Sequence, residues 1–138
     1  MTKKKEVKKL TTNAKVEKYN MLSPMLNSIL SEMKELSKKK QDGVLNKLKV
    51  KMINRILEQV KDLFSDEPTI QFLDLLDDVT LPTNSDTVLI ISQYRAAMNH
   101  FKDKYYGYET GRGHHWFTKD DVADMSSERG PEVTFEED

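Results

Sequence analysis

The sequence predicts an all-α fold: a small antiparallel helical bundle of three long helices and one short one, with a basic N-terminal arm and an acidic, partly disordered C-terminal tail. Two observations carry that expectation. Apolar residues recur at intervals of three and four over three long stretches, a spacing that lines one side of a helix and no single face of a strand. Between those stretches stand proline, glycine and short polar residues, suited to ending one helix and capping the next. The 138-residue length fits one domain with one core, while 33% charged against 37% hydrophobic residues leaves part of the chain outside it.

The first long helix is expected over 24–41. Ser23 is placed to cap free N–H groups, Pro24 loses nothing at a first helical position, and Met25, Leu26, Ile29, Leu30, Met33 and Leu36 form one stripe. A shorter helical stretch from about Asn13 precedes it. Gly43 suits the left-handed position that closes a helix. The second helix, 44–64, has the strongest periodicity, with Leu45, Leu48, Met52, Ile53, Ile56, Leu57, Val60, Leu63 and Phe64 in phase. Pro68 opens a short helix at 69–77 that would bury Ile70, Phe72, Leu73 and Leu76, and Asp77 and Asp78 stop it because a helix C-terminus repels negative charge.

Asn84 or Ser85 is expected to cap the third long helix, 86–106, whose stripe is Val88, Ile91, Tyr94, Met98, Phe101 and Tyr105, widened by Leu89, Ile90 and Ala97. Its β-branched opening reads as helix rather than strand, on the continuing period and the lack of a partner strand. Beyond Gly107 the glycines Gly111 and Gly113 interrupt regular structure, and Thr118, with Asp121 three residues on, caps a last short helix. The organisation is a basic flexible arm (1–18), a helical bundle (19–108), and a loop, short helix and acidic tail (109–138).

Composition removes several functions. Without cysteine there is no disulfide, thiolate metal site, iron–sulfur cluster or cysteine nucleophile. No apolar run approaches the roughly 20 residues of a membrane span, and none follows the N-terminal lysines as a signal peptide requires, so a cytoplasmic protein is expected. Phosphate-loop, dinucleotide, zinc-protease and EF-hand signatures are missing too, and no cofactor or metal is assigned. The net charge of −1 hides an asymmetry: residues 1–62 hold 16 basic against 7 acidic side chains, a net of +9, and residues 63–138 hold the other 6 against 16, a net of −10. Such halves can pair with each other or leave the basic part for an acidic partner.

Arg95 and His100, in Tyr94-Arg95-Ala96-Ala97-Met98-Asn99-His100, are the candidate catalytic pair. Arginine, four residues and histidine resembles the motif of HEPN-type ribonucleases. That resemblance covers seven residues and implies metal-independent RNA cleavage, with His100 in acid/base work and Arg95 on phosphate charge. Ala96 departs from the pattern, which usually has a polar residue after the arginine. Five residues turn a helix through about 140°, so a composite site would need a second copy's residues. His114 and His115 are too few for a zinc site without carboxylates.

Trp116, Phe117 and Phe135 are the candidate partner-binding residues, since large aromatics after a glycine-rich loop dock onto their own fold or onto a partner. The cluster Phe101, Tyr105, Tyr106, Tyr108, Trp116 and Phe117 would stack bases if it lay beside basic residues. Lys3, Lys4, Lys5, Lys8 and Lys9 are the candidate nucleic-acid contacts. The expectation that ranks first is a non-enzymatic small helical interaction or adaptor protein, a subunit of a larger assembly with a protein partner. Self-association, the HEPN-like ribonuclease and nucleic-acid binding through the basic N-terminal half rank below it; no membrane is expected.

Overall fold

The computed structural model describes residues 6–7, 9–122 and 136–137. The chain is mostly helical, as its periodicity predicts. In order come β1 (Glu6–Val7), α1 (Asn13–Lys39), α2 (Lys47–Leu63), a 3-10 helix (Pro68–Phe72), α3 (Asn84–Tyr105), β2 (Tyr106–Glu109), β3 (Gly113–Trp116) and β4 (Glu136–Glu137). Two compact units share these elements: Lys18–Met98, and Met1–Glu17 together with Asn99–Asp138.

In the unit Lys18–Met98, α1 buries Tyr19, Leu22, Leu26, Leu30 and Met33, α2 buries Val50, Ile53, Leu57 and Val60, and α3 buries Ile91, Tyr94 and Met98. The expected break before Pro24 does not occur. Pro24 lies inside α1, where it removes one backbone bond and crowds the preceding turn at a cost of about 3 kcal/mol. The buried row Tyr19, Leu22, Leu26, Leu30 runs through it unchanged in phase, and that packing holds the helix together across the proline. Ser23 caps nothing there; its hydroxyl accepts from Arg95.

The expected stripes were too wide. Met25, Leu48, Met52, Phe72 and Leu89 are exposed, because each helix here buries only one side and these residues fall beyond its edge. Asn46 caps α2, accepting from the Lys49 N–H at 2.8 Å. The helix after Pro68 is a single 3-10 turn and a half rather than the α-helix expected to Asp77. From Leu73 onward side chains replace the helical ladder. The Asn54 amide bonds both backbone groups of Leu76, each at 2.9 Å, and the Tyr94 hydroxyl donates to the Asp74 carbonyl at 2.7 Å. Asp77 stops no helix. Its carboxylate accepts the N–H groups of Val79 and Thr80, which holds it below the usual aspartate range.

The α1–α2 linker and the start of α3 lock together. Gly43 has no positive φ, contrary to its expected role. It is needed for closeness, since a Cβ there would sit 2.9 Å from Asn84 Nδ2 and 3.2 Å from the Lys40 carbonyl oxygen. Asn84 does not cap its own helix; Thr83 does, accepting from the Asp86 N–H at 3.1 Å. Asn84 instead donates its N–H to the Gly43 carbonyl at 2.7 Å and its side-chain amide to the Lys40 carbonyl at 2.8 Å. Ser85 N–H reaches the Gln41 carbonyl at 3.1 Å, and Leu45 N–H the Pro82 carbonyl at 2.8 Å.

In the other unit, β2 and β3 form an antiparallel hairpin where only a loop was expected. Tyr106 faces Trp116 and Tyr108 faces His114, and Gly111, at φ +89°, allows the turn closed by Arg112 N–H on the Glu109 carbonyl. Phe101, Tyr105 and Phe117 are buried. Thr11 bonds through its backbone to Phe117 and Lys119, and Thr118 caps residues 119–122 by accepting from the Asp121 N–H at 3.1 Å. β1 pairs antiparallel with β4. Of the arm expected over 1–18, residues 13–18 belong to α1 and residues 1–5 and 8 lie outside the described residues, as do residues 123–135 and 138 of the C-terminal segment.

Two outcomes follow. Gly43→Ala should destabilise the protein to urea by at least about 1 kcal/mol, Asn84→Ala by about 1 kcal/mol, and the double variant by clearly less than their sum, because the amide that crowds the new methyl is gone. Burial first, then the charges of Asp74 and Glu58, raise the Tyr94 hydroxyl above the ordinary tyrosine range. Its neutral form is thus favoured by folding, so the stability it lends is present below the free-phenol pKa and is lost as pH rises above it. Tyr94→Phe should lack that alkaline loss in unfolding experiments across pH 9–12.

Candidate functional site

Arg95 and His100 both lie on α3. Arg95 is half-buried, and its Nη1 donates to Asn27 Oδ1 at 2.7 Å and to Ser23 Oγ at 3.2 Å, both on α1. Those two acceptors fix the guanidinium across α1, in the part of that helix where Pro24 leaves the ladder one bond short. His100 is exposed. On an unbroken helix the two positions point about 140° apart. A surface depression lined by Glu32 and Glu35 and another lined by Glu58 and Asp62 include neither residue. Among the described residues no three His, Asp or Glu side chains gather as a metal would require.

The hairpin separates its residues by strand alternation. One face carries Glu109 and His115. His115 Nε2 lies 2.7 Å from Glu109 Oε1 and its Nδ1 lies 2.9 Å from the Trp116 carbonyl. Arg112 stands 3.6 Å from the same Glu109 oxygen and 2.7 Å from Asp121 Oδ2, so the carboxylates here are matched by cations or imidazole. The other face carries Tyr106, Tyr108, His114 and Trp116. Tyr106 and Trp116 meet edge to face at 5.4 Å, Tyr108 and His114 at 5.3 Å, and the Lys102 ammonium stands 4.7 Å from the Tyr106 ring centre. Tyr108 and His114 are exposed, Tyr106 and Trp116 half so.

The sequence-selected partner residues therefore separate. Phe117 is 1% exposed, against His115 at 4.7 Å between ring centres, and presents nothing to a partner. Trp116 shares the aromatic face. Phe135 lies outside the described residues, as do Lys3, Lys4, Lys5 and Lys8; Lys9 is described and exposed.

Sequence reasoning placed Leu48 and Met52 in the core and so missed a surface feature. They stand one turn apart on α2 at 67% and 57% exposure, and half-buried Ile56 extends the row. Lys47, Lys51 and Arg55, all exposed, run beside it. The signal was present: the apolar positions of α2 span a wider arc than one buried side accommodates, and those beyond the edge alternate with lysine. Among the described residues no helix is long and apolar enough to cross a membrane. No family model, curated protein or solved structure matches the chain.

Replacing Arg95 by Met removes both bonds to α1 while keeping the aliphatic stem. The expected cost is about 1–2 kcal/mol in urea unfolding, with no comparable effect from His100→Ala.

Proposed function

We propose that this chain is a non-enzymatic interaction protein, a small cytoplasmic subunit or adaptor whose helices pack as an antiparallel bundle and bind a protein partner through α2. The supporting observation is the row Leu48, Met52 and Ile56 on the solvent side of α2, edged by Lys47, Lys51 and Arg55. Single exposed apolar residues are ordinary on any protein, but consecutive turns of them on one helix make a surface that gains from being covered. The row covers an apolar stripe on a partner, and the cations select one edged by carboxylates, because opposite charge at an interface rim raises the encounter rate and disfavours other partners.

Two further features favour binding over catalysis. Arg95 is engaged by Ser23 and Asn27, which argues for a positioning task within the helices rather than a phosphate contact. Tyr94, Asn54 and Asn84 likewise use their polar groups on neighbouring backbone. The ribonuclease alternative rests on the spacing of Arg95 and His100, and metal-free RNA cleavage lost in His100→Ala would establish it.

The test is a Leu48→Glu/Met52→Glu double variant of the full chain. Both side chains are exposed, so unfolding free energy should change by no more than about 1 kcal/mol. A partner recovered with the wild-type chain from its native cells should be lost, each position costing about 2 kcal/mol of binding or more. Retention of that partner by the folded double variant, or a wild-type chain that stays monomeric and recovers none, would contradict the proposal.

A further inference from the structure

We infer that the aromatic face of the β2–β3 hairpin is a stacking platform for single-stranded nucleic acid, a function separate from the α2 surface. The strands place four rings in two cross-strand pairs, Tyr106 with Trp116 and Tyr108 with His114. Within each pair the rings meet at a steep angle, 69° and 64°, so an edge of one is turned to the face of the other. Solvent reaches the outer pair most, with Tyr108 60% exposed. An unpaired base has a flat apolar face and no partner strand, and an exposed phenol or imidazole ring supplies the matching surface in a sequence-tolerant way.

Charge selects this occupant over an apolar peptide. Alternation along the strands turns Glu109 to the opposite face, where His115 and Arg112 engage it. The stacking face receives instead the Lys102 ammonium, 4.7 Å from the centre of the Tyr106 ring. Asp103, the neighbouring acidic residue, is about 100° further around α3. A cation standing over one ring of the row, next to the exposed Tyr108 and His114, matches what a single strand presents at short range: a phosphate beside an unpaired base. Duplex nucleic acid offers no unstacked base and is disfavoured.

The chain's single tryptophan, Trp116, lies in this row and reports directly on its occupancy. Adding a short oligouridine or oligothymidine to the full-length protein should quench tryptophan emission saturably, and a duplex of the same length should not. Which of the two strands binds more tightly distinguishes RNA from DNA as the source. Tyr108→Ala and His114→Ala, both at exposed positions, should leave the circular dichroism spectrum unchanged and weaken binding about tenfold each. Lys102→Gln should reduce the slope of log affinity against log salt by about 0.7. Binding that leaves Trp116 emission unchanged, or that survives Tyr108→Ala and His114→Ala but disappears when Lys3, Lys4 and Lys5 are changed to Gln, would overturn the platform and place binding on the basic arm. Absence of binding to both oligonucleotides would overturn it outright. None of these outcomes depends on the α2 row.

Discussion

A junction between one helix's end and another's beginning sets the arrangement of the unit Lys18–Met98. The start of an α-helix leaves its first N–H groups without partners, and the end of one leaves carbonyls in the same position. Here the first deficit is met by carbonyls of the linker that follows α1. Asn84 and Ser85, at the start of α3, donate to the carbonyls of Gly43 and Gln41 in the chain leaving α1, and the Asn84 side chain adds Lys40. The dipoles agree, positive at the N-terminus of α3 and negative past the C-terminus of α1. A side chain at Gly43 would crowd Asn84 Nδ2 and the Lys40 carbonyl, and a shorter one at position 84 would lose the bond to Lys40. Once this junction is fixed, Leu45 is held by the Pro82 carbonyl and the register of α2 follows.

The same economy runs through the unit and directs attention to its surface. Asn54 substitutes for a strand by bonding Leu76 on both sides, Tyr94 holds Asp74, and Arg95 spans to Ser23 and Asn27. No buried side-chain nitrogen or oxygen among the described residues is left without a hydrogen bond. The polar groups of Asn54, Tyr94 and Arg95 are thus committed to structure, whereas Leu48 and Met52 on α2 and Tyr108 and His114 on the hairpin are exposed. The proposed recognition of an apolar, carboxylate-edged surface and that of unpaired bases would both need only such preformed faces.

Helix existence was legible because a period of three and four is a direct image of one buried side, and α2 and α3 end within a few residues of where that period predicts. Local signals misled where tertiary bonds took over. Ser23-Pro24 has the chemistry of a helix start, yet the apolar phase on both sides of it is shared and the helix continues. Asn84 and Gly43 read as a cap and a left-handed stop, and neither role is used, because each answers to the other across the fold. The hairpin left a fainter trace, with aromatic or imidazole rings at every second position, Tyr106, Tyr108, His114 and Trp116, either side of Thr110-Gly111. Leu48 and Met52 were counted with the core because hydropathy records what a side chain is and not whether another helix reaches it.

Native-state hydrogen exchange at Leu45, Asn84 and Ser85 measures the junction itself. If it holds the helices in place, these three amides exchange only through global unfolding, with the same free energy as the most protected amides of α2 and α3, although they lie in or beside a linker. Exchange through local opening, well below the global free energy, would show that the helices are held without it and would contradict the account.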